Sequence, residues 1–254
     1  IFNILVIPSA ATLVGENVLG SNRDLVYKEA QFYIIAVATL LLTFSFAAIY
    51  NPVSGSQILG MMTRPLAMLP IMVYGLYVFI QYQETVEHEA EKEVDISPLK
   101  QWALLIASLA VITVGVEGLV RSAIGLGNAL NTPSFLWGLT VIAAGTSLPD
   151  AFVSIKASRE GRSVTSVSNV LGSNIFDLLV AIPAGILVAG SAVINYSRAA
   201  PMMGYLVFAT IVLFVFMRTD FELSEKEVYG LLGVYLLFLI WMTLETFGVT
   251  SLAL

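Results

Sequence analysis

Two short stretches concentrate oxygen-bearing side chains inside otherwise apolar sequence. The first, Ala143-Ala144-Gly145-Thr146-Ser147-Leu148-Pro149-Asp150, closes on a carboxylate. Thr146 lies four residues and Ser147 three residues before Asp150, so on a helix all three oxygens can face one direction. Pro149 has no N–H and crowds the carbonyl four residues before it, at Gly145, a residue that tolerates a loosened backbone. A break or kink is expected here, with carbonyls freed near Ala143. Carboxylate, hydroxyls and carbonyls form a hard-oxygen set suited to Ca²⁺ or Na⁺. The plainer alternative is a proline kink stapled by hydroxyls, with Asp150 capping the lower half-helix. The second stretch is Asn169-Val170-Leu171-Gly172-Ser173-Asn174-Ile175-Phe176-Asp177. Asn169, Ser173 and Asp177 recur every four residues on one helical face, and Gly172 permits close approach of a neighbouring helix. A buried polar seam between helices is the competing reading. Charged groups inside spans are costly and mark functional sites.

The other polar residues read more simply. Glu117 lies near a span end with Arg121 four residues on, an expected ion pair. His88 falls in an acidic segment and reads as solvated. Trp102, Trp137 and Trp241 read as interfacial belt or packing residues.

The elements that must position these groups are membrane helices. Of 254 residues, 57% are hydrophobic and only 12% charged, about half the charged share of a soluble domain; the mean hydropathy is +0.86. A water-soluble globule could not cover such a surface. The apolar content excludes disorder, and the absence of cysteine excludes a disulfide scaffold. Long unbroken apolar runs, rather than strict alternation over about ten residues, argue against a porin-like barrel. The expected fold class is all-α, a polytopic membrane protein. Seven full spans centre on 31–50, 66–82, 101–120, 135–157, 164–190, 199–217 and 228–246. Ile1 to Val14 is too short to cross and reads as the end of a helix whose start, with the preceding N-terminal helices, is missing.

The chain also resembles itself. Ile1-Phe2-Asn3-Ile4-Leu5-Val6 matches Ile175-Phe176-Asp177-Leu178-Leu179-Val180, and Ile-Pro follows in each, at Ile7-Pro8 and Ile182-Pro183. Two spans precede the second match, so a complete parent would carry five per half. Five is odd, so the halves would be inverted, a transporter signature with the site at the midplane. Residues 1–83 would be the C-terminal part of the first repeat, 84–100 an acidic linker and 101–254 the second repeat. The net charge of −6 is mostly that linker: Glu84 to Asp95 alone sums to −5. Nine Lys and Arg fall on the linker's side and three on the other, which puts the linker in the cytoplasm and the C-terminus outside.

At Gly145-Thr146-Ser147-Leu148-Pro149-Asp150 and Gly172-Ser173-Asn174-Ile175-Phe176-Asp177, the sequence resembles the cation/calcium exchanger superfamily. The sodium/calcium exchangers, with their potassium-dependent branch, are the nearest type. The resemblance implies ten helices in two inverted repeats and alternating access around a central ion cluster. It implies a cell-membrane transporter rather than an enzyme, with no cofactor: Ca²⁺ and Na⁺, with K⁺ as a further candidate, are its substrates. Carried over by motif, Asp150 is the main divalent ligand. Thr146, Ser147 and Ser173 supply hydroxyls, Ala143 a backbone carbonyl, Asp177 the middle site, and Asn3 the position opposite it. The first repeat's own GTS-x-P helix is absent. The partners implied are these ions and the lipid bilayer, with no nucleic acid.

A Ca²⁺/H⁺ antiporter is the nearest rival, but its typical Gly-Asn-(Ala)-x-Glu-His type string is lacking and Thr146-Ser147 favours Na⁺. An intramembrane aspartyl protease would need two aspartates sharing a proton, and the expected Gly-x-Gly-Asp is missing. A passive cation channel would differ by uncoupled conductance.

Overall fold

The computed structural model describes residues 1–15, 18–23, 25–53, 58–86 and 97–250. His88 and most of the acidic segment lie outside the described residues. In chain order the elements are α1 (Phe2–Val14), β1 (Val18–Gly20), α2 (Ala30–Tyr50), β2 (Leu59–Thr63), α3 (Arg64–Val86), α4 (Pro98–Ala129), α5 (Ser134–Trp137), α6 (Ala143–Thr146), α7 (Leu148–Arg159), α8 (Ser163–Phe176), α9 (Ile182–Ala189), β3 (Ser191–Asn195), α10 (Tyr196–Arg218), β4 (Glu222–Ser224) and α11 (Glu225–Thr246). Wider π-type turns occupy Leu25–Glu29, Gly138–Ile142 and Asp177–Ala181. Among the described residues six helical spans are long and apolar enough to cross a membrane, and seven if the broken run through α5, α6 and α7 counts as one. The chain is therefore an all-α polytopic membrane protein, as the hydropathy pattern predicts.

Two compact units emerge, Ile1–Phe79 with Pro149–Leu254, and Ile80–Leu148. In the first, the element order helix, strand, helix, strand, helix occurs twice: α1 to α3, and α9 to α11. The strands pair across the two runs. β1 pairs antiparallel with β4, from Val18↔Ser224 to Gly20↔Glu222. β2 pairs antiparallel with β3, from Leu59↔Asn195 to Thr63↔Ser191. β1 leads into α2 and β4 follows α10, while β2 follows α2 and β3 leads into α10. The packed pair α2 and α10 therefore runs in opposite directions, with one ladder at each end.

The core of this unit is built where α1, α2, α8 and α10 meet. Ile4, Leu5, Ile7, Tyr33, Leu40, Leu171, Ile175, Leu213 and Met217 are all fully buried there. Several of the polar side chains that enter this core have their donors satisfied by their own helix. Ser9 and Thr12 donate to Leu5 O and Pro8 O at 2.6 and 2.9 Å, and Thr43 and Thr210 do the same one turn back. Gly60 of β2 fits because it lacks a side chain: a Cβ there would lie 2.4 Å from Ala48 N. Large apolar residues left exposed, such as Leu42, Ile49 and Val215, suit a surface that faces hydrocarbon instead of water.

The second unit holds α4, α5 and α6. Gly145 allows α6 to close on α4, since a Cβ there would fall 2.3 Å from Leu119 Cδ2. The Glu117–Arg121 pair forms at 2.6 Å with both side chains exposed.

Candidate cation site

Asp150 stands in the first turn of α7, directly after Pro149, and is half-buried. Two other helices of the first unit converge on it. From α1, Asn3, only 6% exposed, donates from Nδ2 to Asp150 Oδ2 at 3.4 Å. From α8, Asn169 Nδ2 donates to the Asp150 carbonyl at 3.3 Å and to Ser154 Oγ at 3.0 Å. The Ser173 hydroxyl, also on α8, lies against the Asp150 carboxyl and donates to Val170 O at 3.2 Å. Asn174 turns the other way, donating to Val170 O at 3.1 Å.

Asp177 opens the π-type turn that joins α8 to α9. Pro183 cannot donate to the Leu179 carbonyl four residues back, and the turn before it is wide. Asp177 is exposed on this unit, yet within range of the Asp150 charge. Two carboxylates, two amides and a hydroxyl thus come from α1, α7, α8 and the π-type turn that follows α8. Among the described residues, no three His, Cys, Asp or Glu side chains cluster. The donors are mixed hard oxygens, a composition that suits an ion held without a dense negative cage.

Thr146, Ser147 and Ala143 belong to the second unit. The helix is interrupted at Ser147, as Pro149 requires. The expectation of a freed Ala143 carbonyl is not met. It accepts from Ser147 N–H at 3.3 Å and from Thr146 Oγ1 at 3.2 Å, and Thr146 also reaches Ile142 O at 3.0 Å. The donor that proline removes is the one that would serve Gly145, so the disruption falls beyond Ala143.

Sequence reasoning passed over Ser154 and Ser158. With Asp150 they recur every four residues along α7, and that spacing was the available signal. Both are buried. Ser158 Oγ donates to Ala11 O at 2.8 Å, and a Cβ on Gly15 would come within 2.2 Å of it. The face of α7 that presents Asp150 is therefore tied to α8 at Ser154 and to α1 at Ser158. Asn169 was placed on the right face of α8, but its role as a bridge to α7 needs the packing of the two helices.

A family profile described as sodium/calcium exchanger protein matches residues 100–244. The chain is 30% identical over 138 residues to the sodium/calcium exchanger MaX1 of Methanosarcina acetivorans, covering 54% of this chain and 39% of that protein. It spans well under half the length of the curated relatives it matches. Its fold is that of the sodium-calcium exchanger NCX_Mj, with a TM-score of 0.62 at 20% identity over 93% of this chain and 71% of that one. The H⁺/Ca²⁺ exchanger CAX shares it with a TM-score of 0.59 at 13% identity over 94% and 65%. By the family match over more than half of its residues, the chain belongs to the sodium/calcium exchanger family.

Proposed function

We propose that the whole protein is a secondary active cation antiporter that exchanges Na⁺ for Ca²⁺ by alternating access. The observation that carries this is the meeting of Asp150 with Asn3 and Ser173 from two other helices. Ca²⁺ takes six to eight oxygens, and carboxylate charge sets its affinity. Na⁺ ions that enter the same oxygens must displace it. An ion that cannot be held together with its rival moves in exchange for it, so the Na⁺ gradient extrudes Ca²⁺.

In this reading Asp150 is the principal divalent ligand. Asn3, Ser173 and Asp177 complete its surroundings in the first unit. On the sequence motif alone, Thr146, Ser147 and the Ala143 carbonyl are further ligands. Residues 1–83 and 101–254 belong to two inverted repeats joined by the linker 84–100. The exchange of strand partners between the two runs, β1 with β4 and β2 with β3, supports a pseudo-two-fold axis in the membrane plane. The distribution of Lys and Arg supports a cytoplasmic linker and an external C-terminus, in the cell membrane.

Asp150→Asn in the full-length protein should abolish Na⁺-dependent uptake of radiolabelled Ca²⁺ into vesicles, with protein levels unchanged. Uptake at the wild-type rate refutes the assignment. The fold shared with CAX favours one second reading, Ca²⁺/H⁺ antiport. Flux that follows an imposed pH gradient and ignores Na⁺ would select it.

A further inference from the structure

At the membrane-surface end that carries the β1–β4 ladder, α2 and α10 part into a groove of about 260 Å³. Its walls are apolar along Ile34 of α2 and Ile211, Phe214 and Val215 of α10, and its mouth holds Tyr27, Gln31 and Arg218. Ile211 and Val215 are about half exposed, at 49% and 57%. A second hollow, also of about 260 Å³, is lined by Arg23, Tyr27, Lys28 and Gln31. The two share Tyr27 and Gln31, so cationic hollow and apolar groove adjoin. The Arg23 guanidinium sits 5.9 Å from the centre of the Tyr27 ring. Among the described residues, no carboxylate lines either hollow. Among the described residues, neither Arg23 nor Arg218 forms an ion pair.

We propose that this is a binding site for an anionic glycerophospholipid. Its phosphate is held among Arg23, Lys28 and Arg218, and one acyl chain lies in the groove along Ile34, Ile211 and Val215. Arginine matches phosphate oxygens with paired N–H donors. Tyrosine at this depth presents a ring to hydrocarbon and a hydroxyl to the headgroup layer. A soluble anion would use the cations and leave the apolar walls unused. A zwitterionic headgroup would set its own ammonium beside the Arg23 and Arg218 guanidinium groups. The lipid would bridge the two antiparallel helices α2 and α10, since its lining residues come from both.

The test is native mass spectrometry of the full-length protein in mild detergent, titrated with phosphatidylglycerol or phosphatidylcholine of the same acyl chains. Phosphatidylglycerol should bind preferentially. Each basic residue beside anionic lipid is worth roughly fivefold in affinity, so R23Q/R218Q should weaken phosphatidylglycerol by about an order of magnitude or more and leave phosphatidylcholine unchanged. V215W, which fills the groove and keeps the cations, should also lose phosphatidylglycerol. If the double variant does not accumulate, R218Q alone is read the same way, with roughly a fivefold loss. Wild-type phosphatidylglycerol preference in R23Q/R218Q or in V215W overturns the proposal. So does displacement of the lipid by an equal concentration of inorganic phosphate, which would mark an anion site without an acyl component.

Discussion

Asn169→Ala isolates the bridge that holds Asp150 in place. The substitution removes two interhelical hydrogen bonds, to the Asp150 carbonyl at 3.3 Å and to Ser154 Oγ at 3.0 Å. Such bonds between membrane helices average about 0.6 kcal/mol each, with a ceiling near 1.7. Ser154 is fully buried, but in this bond its oxygen accepts from Asn169, so the substitution takes a donor from two acceptors and strands no donor. The expected loss is therefore about 1.2 kcal/mol, close to an eightfold drop in the folded-to-unfolded ratio. Unfolding of the purified protein in bicelles measures it, and a double-mutant cycle with Ser154→Ala should return a coupling of about 0.6 kcal/mol. Because the same bond fixes the backbone of Asp150, the half-saturating Ca²⁺ concentration for Na⁺-driven flux should rise more than the maximal rate falls. Wild-type stability with zero coupling would refute the bridge. The calculated loss of stability with unchanged Ca²⁺ dependence would leave Asn169 a purely structural residue and refute its positioning role.

Three further outcomes follow from packing and capping elsewhere in the first unit. Gly60→Ala should lower the thermal unfolding midpoint by the equivalent of about 1–3 kcal/mol, because the new Cβ would meet main-chain atoms of Ala47 and Ala48 at 2.5 and 2.4 Å. Gly172→Ala, where a Cβ meets nothing within 4 Å, should be neutral or stabilising by up to about 1 kcal/mol; equal destabilisation by the two would contradict the packing. Glu227→Ala removes the carboxylate that accepts from Ser224 N at 2.8 Å and Ser224 Oγ at 2.7 Å. The loss is about 1 kcal/mol, and amide hydrogen exchange in the first turn of α11 should quicken; unchanged exchange there would discount the cap.

The spans were legible because apolar runs bounded by charges dictate them: each expected segment between 31 and 246 lies on a helix or on the broken run at Ser147. Pro149 announced that interruption, and the Asn3–Asp150 hydrogen bond joins two residues that motif and repeat had singled out separately. What stayed hidden was set by partners remote in sequence. Val18-Leu19-Gly20 is three residues with no periodicity of its own, and becomes a strand only against Leu223 and its neighbours. The hydrogen bonds of Asn169 depend on how α8 lies on α7. The Ala143 carbonyl is not freed because Ser147 N–H still serves it; the carbonyl that Pro149 deprives of its donor is that of Gly145.

The β1–β4 ladder has a consequence for biogenesis. Val18 pairs with Ser224, about 200 residues later. At roughly 5–20 residues per second on the ribosome, the earlier strand waits on the order of 10–40 seconds for its mate, while most of the spans between them enter the bilayer. Closure of this ladder is thus a late event in maturation. A nascent chain arrested before Ser224 should leave the backbone at Val18–Gly20 open to proteases, and release of the last loop should protect it.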